Sequence, residues 1–296
     1  MPLIVDPSAP LVEPTARVTS PDQWLAAIVD HAWSGVVLAV DYRAGAGLPR
    51  AGNVQWVRIT RRDPGTPVPV PVRSADPVWA PGGVGTAYDH EPPLGVAVIY
   101  TAVPVYKDGS IGPSSSLAVT VPAPEPGEDR DLWIKSIDQP GLSIRAMLVD
   151  APGPTSAGRQ DVAEPYGSPY RVVAYGTHAA EARSVTVDVP PEDVDQMRDL
   201  LRSGVLLAQV RPGYLWPDAY FVPDSISGPN PTGKLGSSEG YQFTFAIEPT
   251  ARPATAGATM RLPGWSWDHV ARQFATWDAV AASYSSWASL STNGVL

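Results

Sequence analysis

Cysteine is absent from the 296 residues. Its absence excludes a disulfide scaffold, a Cys-ligated zinc site and thiol chemistry. Charged residues are few, at 17%, and their balance is −9. A nucleic-acid-binding surface needs clustered Lys and Arg to meet phosphates, so this balance argues against one. No apolar run approaches the ~18 residues that would mark a membrane span. The opening Met1-Pro2-Leu3-Ile4-Val5-Asp6-Pro7 has neither a basic stretch nor a long apolar one, so it does not read as a signal peptide. Histidine is limited to His31, His90, His178 and His269. No two of them have a metal-ligand spacing such as His-x-x-x-His. A G-x-S-x-G elbow is missing. Gly82-Gly83-Val84-Gly85 lacks the Lys and Ser/Thr of a phosphate loop, and Asp108-Gly109-Ser110 is too short for a calcium loop. No cofactor, metal site or catalytic residue is therefore expected. A glycosidase is the exception such a search would miss, because two carboxylates brought together by the fold leave no local signature.

Proline is abundant, at 34 residues, and 44% of the chain is hydrophobic. Proline is poorly tolerated inside helices and suits turns and edge strands, so a globular, mainly β body of two domains is expected. The clearest folding unit runs from about Tyr170 to Pro249. Ser184-Val185-Thr186-Val187-Asp188-Val189 alternates with the period of a half-buried strand. Pro190-Pro191-Glu192-Asp193 is a helix-start signal, with acids at the positive end of the dipole. Val194, Met197 and Leu201 fall within about 60° of each other, which makes a buried stripe. Gly204 suits a left-handed cap. Val205–Val210 and Tyr220-Phe221-Val222 read as further strands. Tyr241, Phe243, Phe245 and Ile247 alternate with polar or small residues in a last one. One helix set into antiparallel strands predicts a split β-barrel with a single covering helix.

Residues 1–35 read as an arm followed by a short helix. The arm carries prolines at 2, 7, 10 and 14, and it is either an edge strand or a clasp for a partner. Ser20-Pro21-Asp22-Gln23 has capping-box spacing and predicts a helix over Trp24–Val29, a segment that a strand would also tolerate. Between 36 and 122 the pattern is β throughout: Val36–Val40, Val54–Ile59, Val68–Val72, then alternating Val96, Val98, Tyr100 and Leu117, Val119, Val121. That is a sandwich of about seven strands. Asp89 and Glu91 are the one acid pair with a catalytic look, weighed against a role in ending a strand and bonding turn amides ahead of Pro92-Pro93. Residues 123–131, with Pro124, Glu125 and Pro126, form a stiff polar linker. The second domain then spans 132–255, with an exposed loop over Ala151–Tyr166.

Residues 256–296 contain a ten-residue repeat. Trp267, Trp277 and Trp287 recur, each behind a Ser or Thr suited to capping a helix. Phe274 and Tyr284 follow at +7. Ten residues at ~100° each leave the aromatics ~80° out of register, so one straight helix would not align them. Short capped helices are expected. These five aromatics are the candidate partner-binding residues, since closely spaced aromatics make strong interface anchors. Packing on their own domain and a sugar-binding platform are the other readings.

The order of these segments carries a resemblance. The 36–122 layout is similar to a fibronectin type III-like domain. Tyr88-Asp89-His90-Glu91-Pro92-Pro93-Leu94-Gly95-Val96 with Tyr100-Thr101-Ala102 resembles a motif of minor tail proteins of long-tailed phages infecting actinobacteria. So does Leu132-Trp133-Ile134-Lys135 before Asp138-Gln139-Pro140, with Gln139 inserted between Asp and Pro. The strand–helix–Gly204–strand order is similar to the split barrels of tail-tube and distal-tail proteins. The resemblance covers about residues 36–290. It implies a structural virion component of the minor tail, distal tail or baseplate, assembled in the host cytoplasm. Its partners would be other copies in a ring and the tube, hub or tape-measure proteins, with no nucleic acid, membrane or enzymatic activity. A receptor- or glycan-binding module at the tail tip, meeting host cell-surface glycan, is the alternative. A cell-wall hydrolase is the third reading.

Overall fold

The computed structural model describes residues 17–125, 130–167, 169–214, 216–233, 239–260 and 262–294. The arm at 1–16 and much of the linker, 126–129, lie outside the described residues. The chain is mainly β, in antiparallel sheets, and it divides into two units. The first gathers residues up to 92, 96–122 and 255–296. The second holds 93–95 and 123–254.

The first unit opens with β1 (Val18–Thr19), β2 (Leu25–Asp30) and β3 (Gly35–Asp41). β4 (Val54–Arg62), β5 (Val70–Pro71), β6 (Val78–Trp79) and β7 (Val84–Asp89) follow, then β8 (Ala97–Tyr106) and β9 (Ser115–Thr120). One sheet has the order β1-β2-β3-β7; the other is β5-β4-β8-β9, with β6 added to β4. This is the sandwich expected from the alternation, and β9 reads in strict alternation of buried and exposed residues.

The predicted helix over Trp24–Val29 is wrong: Leu25–Asp30 is a strand, paired residue for residue with Gly35–Val40. Leu25, Ala26, Ala27 and Ile28 are all buried, a run that suits a sheet covered on both faces rather than a helical stripe. The capping-box residues serve a turn instead. Ser20 Oγ accepts from the Leu25 N–H at 3.0 Å and donates to Asp22 at 2.6 Å. The sandwich thus begins at Val18 and not at 36.

The second unit contains β10 (Leu132–Ser136), β11 (Ile144–Asp150), β12 (Gln160–Ala163), β13 (Val172–Tyr175) and β14 (Arg183–Val189). Helix α1 (Val194–Leu200) is followed by β15 (Leu206–Gln209), β16 (Ala219–Phe221), β17 (Asp224–Thr232), β18 (Gly240–Ile247) and β19 (Pro249–Thr250). Eight strands pair in the order β17-β18-β14-β11-β10-β15-β16-β19. The hydrogen-bonded path does not close. Yet β18 and β19 are one run of chain interrupted at Glu248, so β14 and β16 are both paired to the same passing segment.

Val185, Val187 and Val189 stand opposite Phe245, Phe243 and Tyr241, as their alternation requires. With Leu132, Ile134, Leu206, Ala208 and Phe221 they form the core, and Phe221 stacks on Phe245 at 5.9 Å. α1 closes it with Met197 and Leu200, joined by Leu201 and Val194. Gly204 has φ +105°, the left-handed turn that a Cβ would resist. β12 and β13 stand apart as a two-stranded sheet between β11 and β14. The expected loop at 151–166 therefore holds a strand. β17 pairs with β18 through Thr232, and residues 234–238 between them lie outside the described ones.

Candidate functional site

Three places carry the functional question: the acid pair, the aromatic repeat and the ribbon β12–β13. The acids come first. Asp89 ends β7 with its side chain 1% exposed. Arg61 Nη1 lies 2.7 Å from its Oδ2, and the Tyr100 hydroxyl donates to the same oxygen at 2.9 Å. The Glu91 N–H donates to Oδ1 at 3.0 Å, a turn bond. Arg61 also donates to both oxygens of Asp63, at 2.6 and 3.0 Å. Glu91 is held by Arg73 at 2.8 Å. Burial alone would raise the Asp89 carboxyl; the Arg61 charge and hydrogen bonds to Arg61, the Glu91 amide and Tyr100 outweigh it and hold it below the ordinary value. The Tyr100 hydroxyl is raised, by burial and then by Asp89. Both carboxylates are thus matched with their own guanidinium and shut from solvent. Asp89 fastens the end of β7 to β4 and β8, and Glu91 fastens the turn beyond it to Arg73.

The repeat folds as α2 (Trp267–Gln273), α3 (Trp277–Ser283) and α4 (Trp287–Ser291). Each of the first two ends on an extended residue, Phe274 or Tyr284, and the next cap residue, Thr276, is extended too. Seven helical residues and a short extended step return the chain to the same face every ten, which resolves the register problem of a straight helix. Thr276 Oγ1 accepts from the Ala279 N–H at 3.3 Å and Ser286 Oγ from Ser289 at 3.1 Å. Ser266 departs from the pattern: its hydroxyl meets His269 Nδ1 at 2.9 Å.

The fold separates the five predicted aromatics into two sets. Val270, Val280 and Leu290 form a small core, against which Trp265, Phe274 and Tyr284 pack. Trp265 was not among the predicted residues, because it precedes the repeat; its Nε1–H donates to the Leu290 carbonyl at 2.7 Å, tying the first turn to the last. Trp267, Trp277 and Trp287 lie on the outside, 63%, 62% and 71% exposed. Their ring centroids are 6.0 and 6.2 Å apart, at interplanar angles of 65° and 56°. They make a ladder of mutually tilted rings. The repeat packs on the sandwich: α4 lies beside β7, where Thr86 Oγ1 and Ser291 Oγ are 3.2 Å apart. The repeat's inner side is therefore a contact within its own unit, and its tryptophans face outward.

The ribbon was not foreseen as a site. All eight residues of β12 and β13 are exposed. Their register places Val162 opposite Val173 and Gln160 opposite Tyr175, so these four share one face. Val162, Val173 and Tyr175 are 43%, 44% and 86% exposed. The other face carries Asp161, Ala163, Val172 and Ala174. Among the described residues no group of three or more His, Asp or Glu side chains gathers as a metal site would, and no helix is long and apolar enough to cross a membrane. No protein-family model matches the chain, and no curated protein matches its sequence.

Proposed function

We propose that this chain is a structural component of a phage tail, in the minor tail, distal tail or baseplate, that works by assembly with copies of itself and with tube, hub or tape-measure proteins. The observation that carries the assembly half is the ribbon. A hairpin of two strands is marginal by itself in water, and this one presents Val162, Val173 and Tyr175 on a single face. Such a face gains stability when another chain covers it. The tail half rests on the resemblance in the order of segments. The aromatic ladder is a second surface for a neighbour, through Trp267, Trp277 and Trp287, while Phe274 and Tyr284 support it from within. The reading assigns no reaction to Asp89 and Glu91, whose carboxylates are held by Arg61 and Arg73.

The test is assembly. The purified chain is expected to form a defined oligomer by sedimentation. Val173→Asp is expected to dissociate it and leave a monomer whose far-ultraviolet circular dichroism matches the wild type, because Val173 is exposed within the chain. Mass spectrometry of purified particles is expected to find the chain in the virion. A wild-type chain that stays strictly monomeric and is missing from particles would overturn the proposal.

The exposed tryptophans favour one other reading, a module that binds host cell-surface glycan. Sugars stack on flat aromatic faces, and the tilts of 65° and 56° turn successive rings out of a shared plane. Titration with host cell-wall polysaccharide decides it: saturable binding lost in Trp277→Ala would favour the glycan.

A further inference from the structure

In the ribbon, the open backbone groups and the exposed apolar side chains fall on the same residues. Gly176 donates its N–H to the Arg159 carbonyl at 2.8 Å, and the next pair along is Gln160 opposite Tyr175. Hydrogen-bonded and non-hydrogen-bonded pairs alternate along an antiparallel ladder. Asp161 and Ala174 therefore turn their backbone groups toward each other, and so do Ala163 and Val172. Val173 and Tyr175 turn theirs away from β12, to the outer edge of β13. Among the described residues β12 and β13 pair only with each other, so that edge is open to a further strand. We propose that β13 of a second copy takes it, antiparallel and centred on Val173, to make a four-stranded sheet β12-β13-β13-β12.

β13 is complementary to itself under a two-fold axis, and this is what points to a second copy. Pairing about Val173 puts the two Val173 residues opposite each other, Val172 opposite Ala174 of the other copy, and Arg171 opposite its Tyr175. Each copy then supplies one cation and one ring to a pair of cation–π contacts. Arg171 already meets Glu164 at 2.8 Å within its own ribbon, so carboxylate, guanidinium and ring fall in one row. Val162 stands opposite Val173, so the central row of the sheet is four valines on a single face. In the single chain Val162 and Val173 are exposed. Two strands are marginal in water, whereas four with an apolar face are not. The edge of β12 is the worse choice. It carries Asp161 and Glu164, and joining two such edges would gather the carboxylates of both copies, the device by which edges are kept unpaired. The contact rests on the assembly reading and narrows it, since a two-fold contact joins two copies and then closes.

The chain has no cysteine, so introduced cysteines report only on each other. Across the axis Val172 and Ala174 form a non-hydrogen-bonded pair, with Cα atoms ~4.5 Å apart and within disulfide range. Full-length Val172→Cys and Ala174→Cys chains, mixed and mildly oxidised, are expected to give a mixed disulfide dimer at several times the yield of either variant alone. Val173→Pro in both chains is expected to abolish it. That proline removes an N–H that points outward and leaves the ladder within the ribbon in place. A mixed yield no greater than the separate ones, an undiminished yield with Val173→Pro, or preferential coupling of Asp161→Cys with Ala163→Cys at the β12 edge would each overturn the proposal. A defined oligomer by sedimentation without the 172–174 product would leave the assembly reading standing and remove this contact alone; a strictly monomeric chain would remove both.

Discussion

The end of β7 and the C-terminal repeat treat their side chains in opposite ways. At the end of β7, charged groups go inside: Asp89 is 1% exposed, and Arg61 is 5% exposed. In the repeat, the largest apolar side chains go outside, while valine and leucine form the core. At the end of β7, Asp89 and Glu91 are matched with Arg61 and Arg73; in the repeat, the open side chains include Trp267, Trp277 and Trp287. The difference is that charge ties strands together at the end of β7, while in the repeat a small aliphatic core carries exposed rings.

The sharpest way to break this comparison is to leave Asp89 buried without its partner. Arg61→Met is expected to cost ~3–5 kcal/mol, read as a lower midpoint in urea, because a buried carboxylate loses its countercharge. Arg61→Met combined with Asp89→Leu is expected to recover much of that, since an apolar pair carries no desolvation cost. If the single variant were as stable as the wild type, the network would be dispensable and Asp89 would be open to another role. The same contrast has a pH signature. Asp89 has a folded value depressed below its ordinary one, so its contribution is complete above the unfolded value of ~3.9 and is lost as pH falls through the folded value. Stability is expected to drop on acidification below about pH 4, and less steeply in Asp89→Asn.

Much of this architecture is legible in the sequence, because its periods are local. Val185, Val187 and Val189 and their partners Phe243 and Phe245 declare a half-buried strand pair. The ten-residue recurrence of tryptophan, with Ser or Thr before it, foretold short helices, of which α3 and α4 are capped by Thr276 and Ser286. What escaped was non-local or short. Nothing near Asp89 in the sequence points to Arg61, 28 residues away. Leu25–Ile28 is buried on every residue, and a solid apolar run has no period to separate strand from helix. β12 and β13 have four residues each, set among Pro, Gly, Ser and Thr that read as loop. The outward turn of the tryptophans depended on the extended step at Phe274 and Tyr284, which makes room for Val280 beneath them.

A smaller effect sharpens the inner half of the repeat. Val280→Ala is expected to cost about 1–2 kcal/mol, since it empties the centre of a three-residue core. Hydrogen exchange should then quicken across residues 265–294 while β4 and β8 keep their protection. Uniform loss across the sandwich would mean that the repeat and the sheets unfold as one body.

The smallest expected change falls on the ladder, and it separates its rungs. Each tilted ring pair contributes roughly 0.5–1.5 kcal/mol at most, and solvent-exposed rings sit at the lower end. Trp277 is in both pairs, whereas Trp267 and Trp287 are each in one. Trp277→Ala should therefore leave the two remaining rings without a close neighbour and remove the ladder's share of the exciton signal in circular dichroism, leaving the share of the Trp56–Trp79 pair, 4.7 Å apart. Trp267→Ala should keep the Trp277–Trp287 pair and about half of the ladder's share. Both variants should unfold close to the wild type, because Val270, Val280 and Leu290 are untouched. Equal signals from the two variants would mean that the three tryptophans do not stand in a row, and the ladder would lose its claim to a regular step.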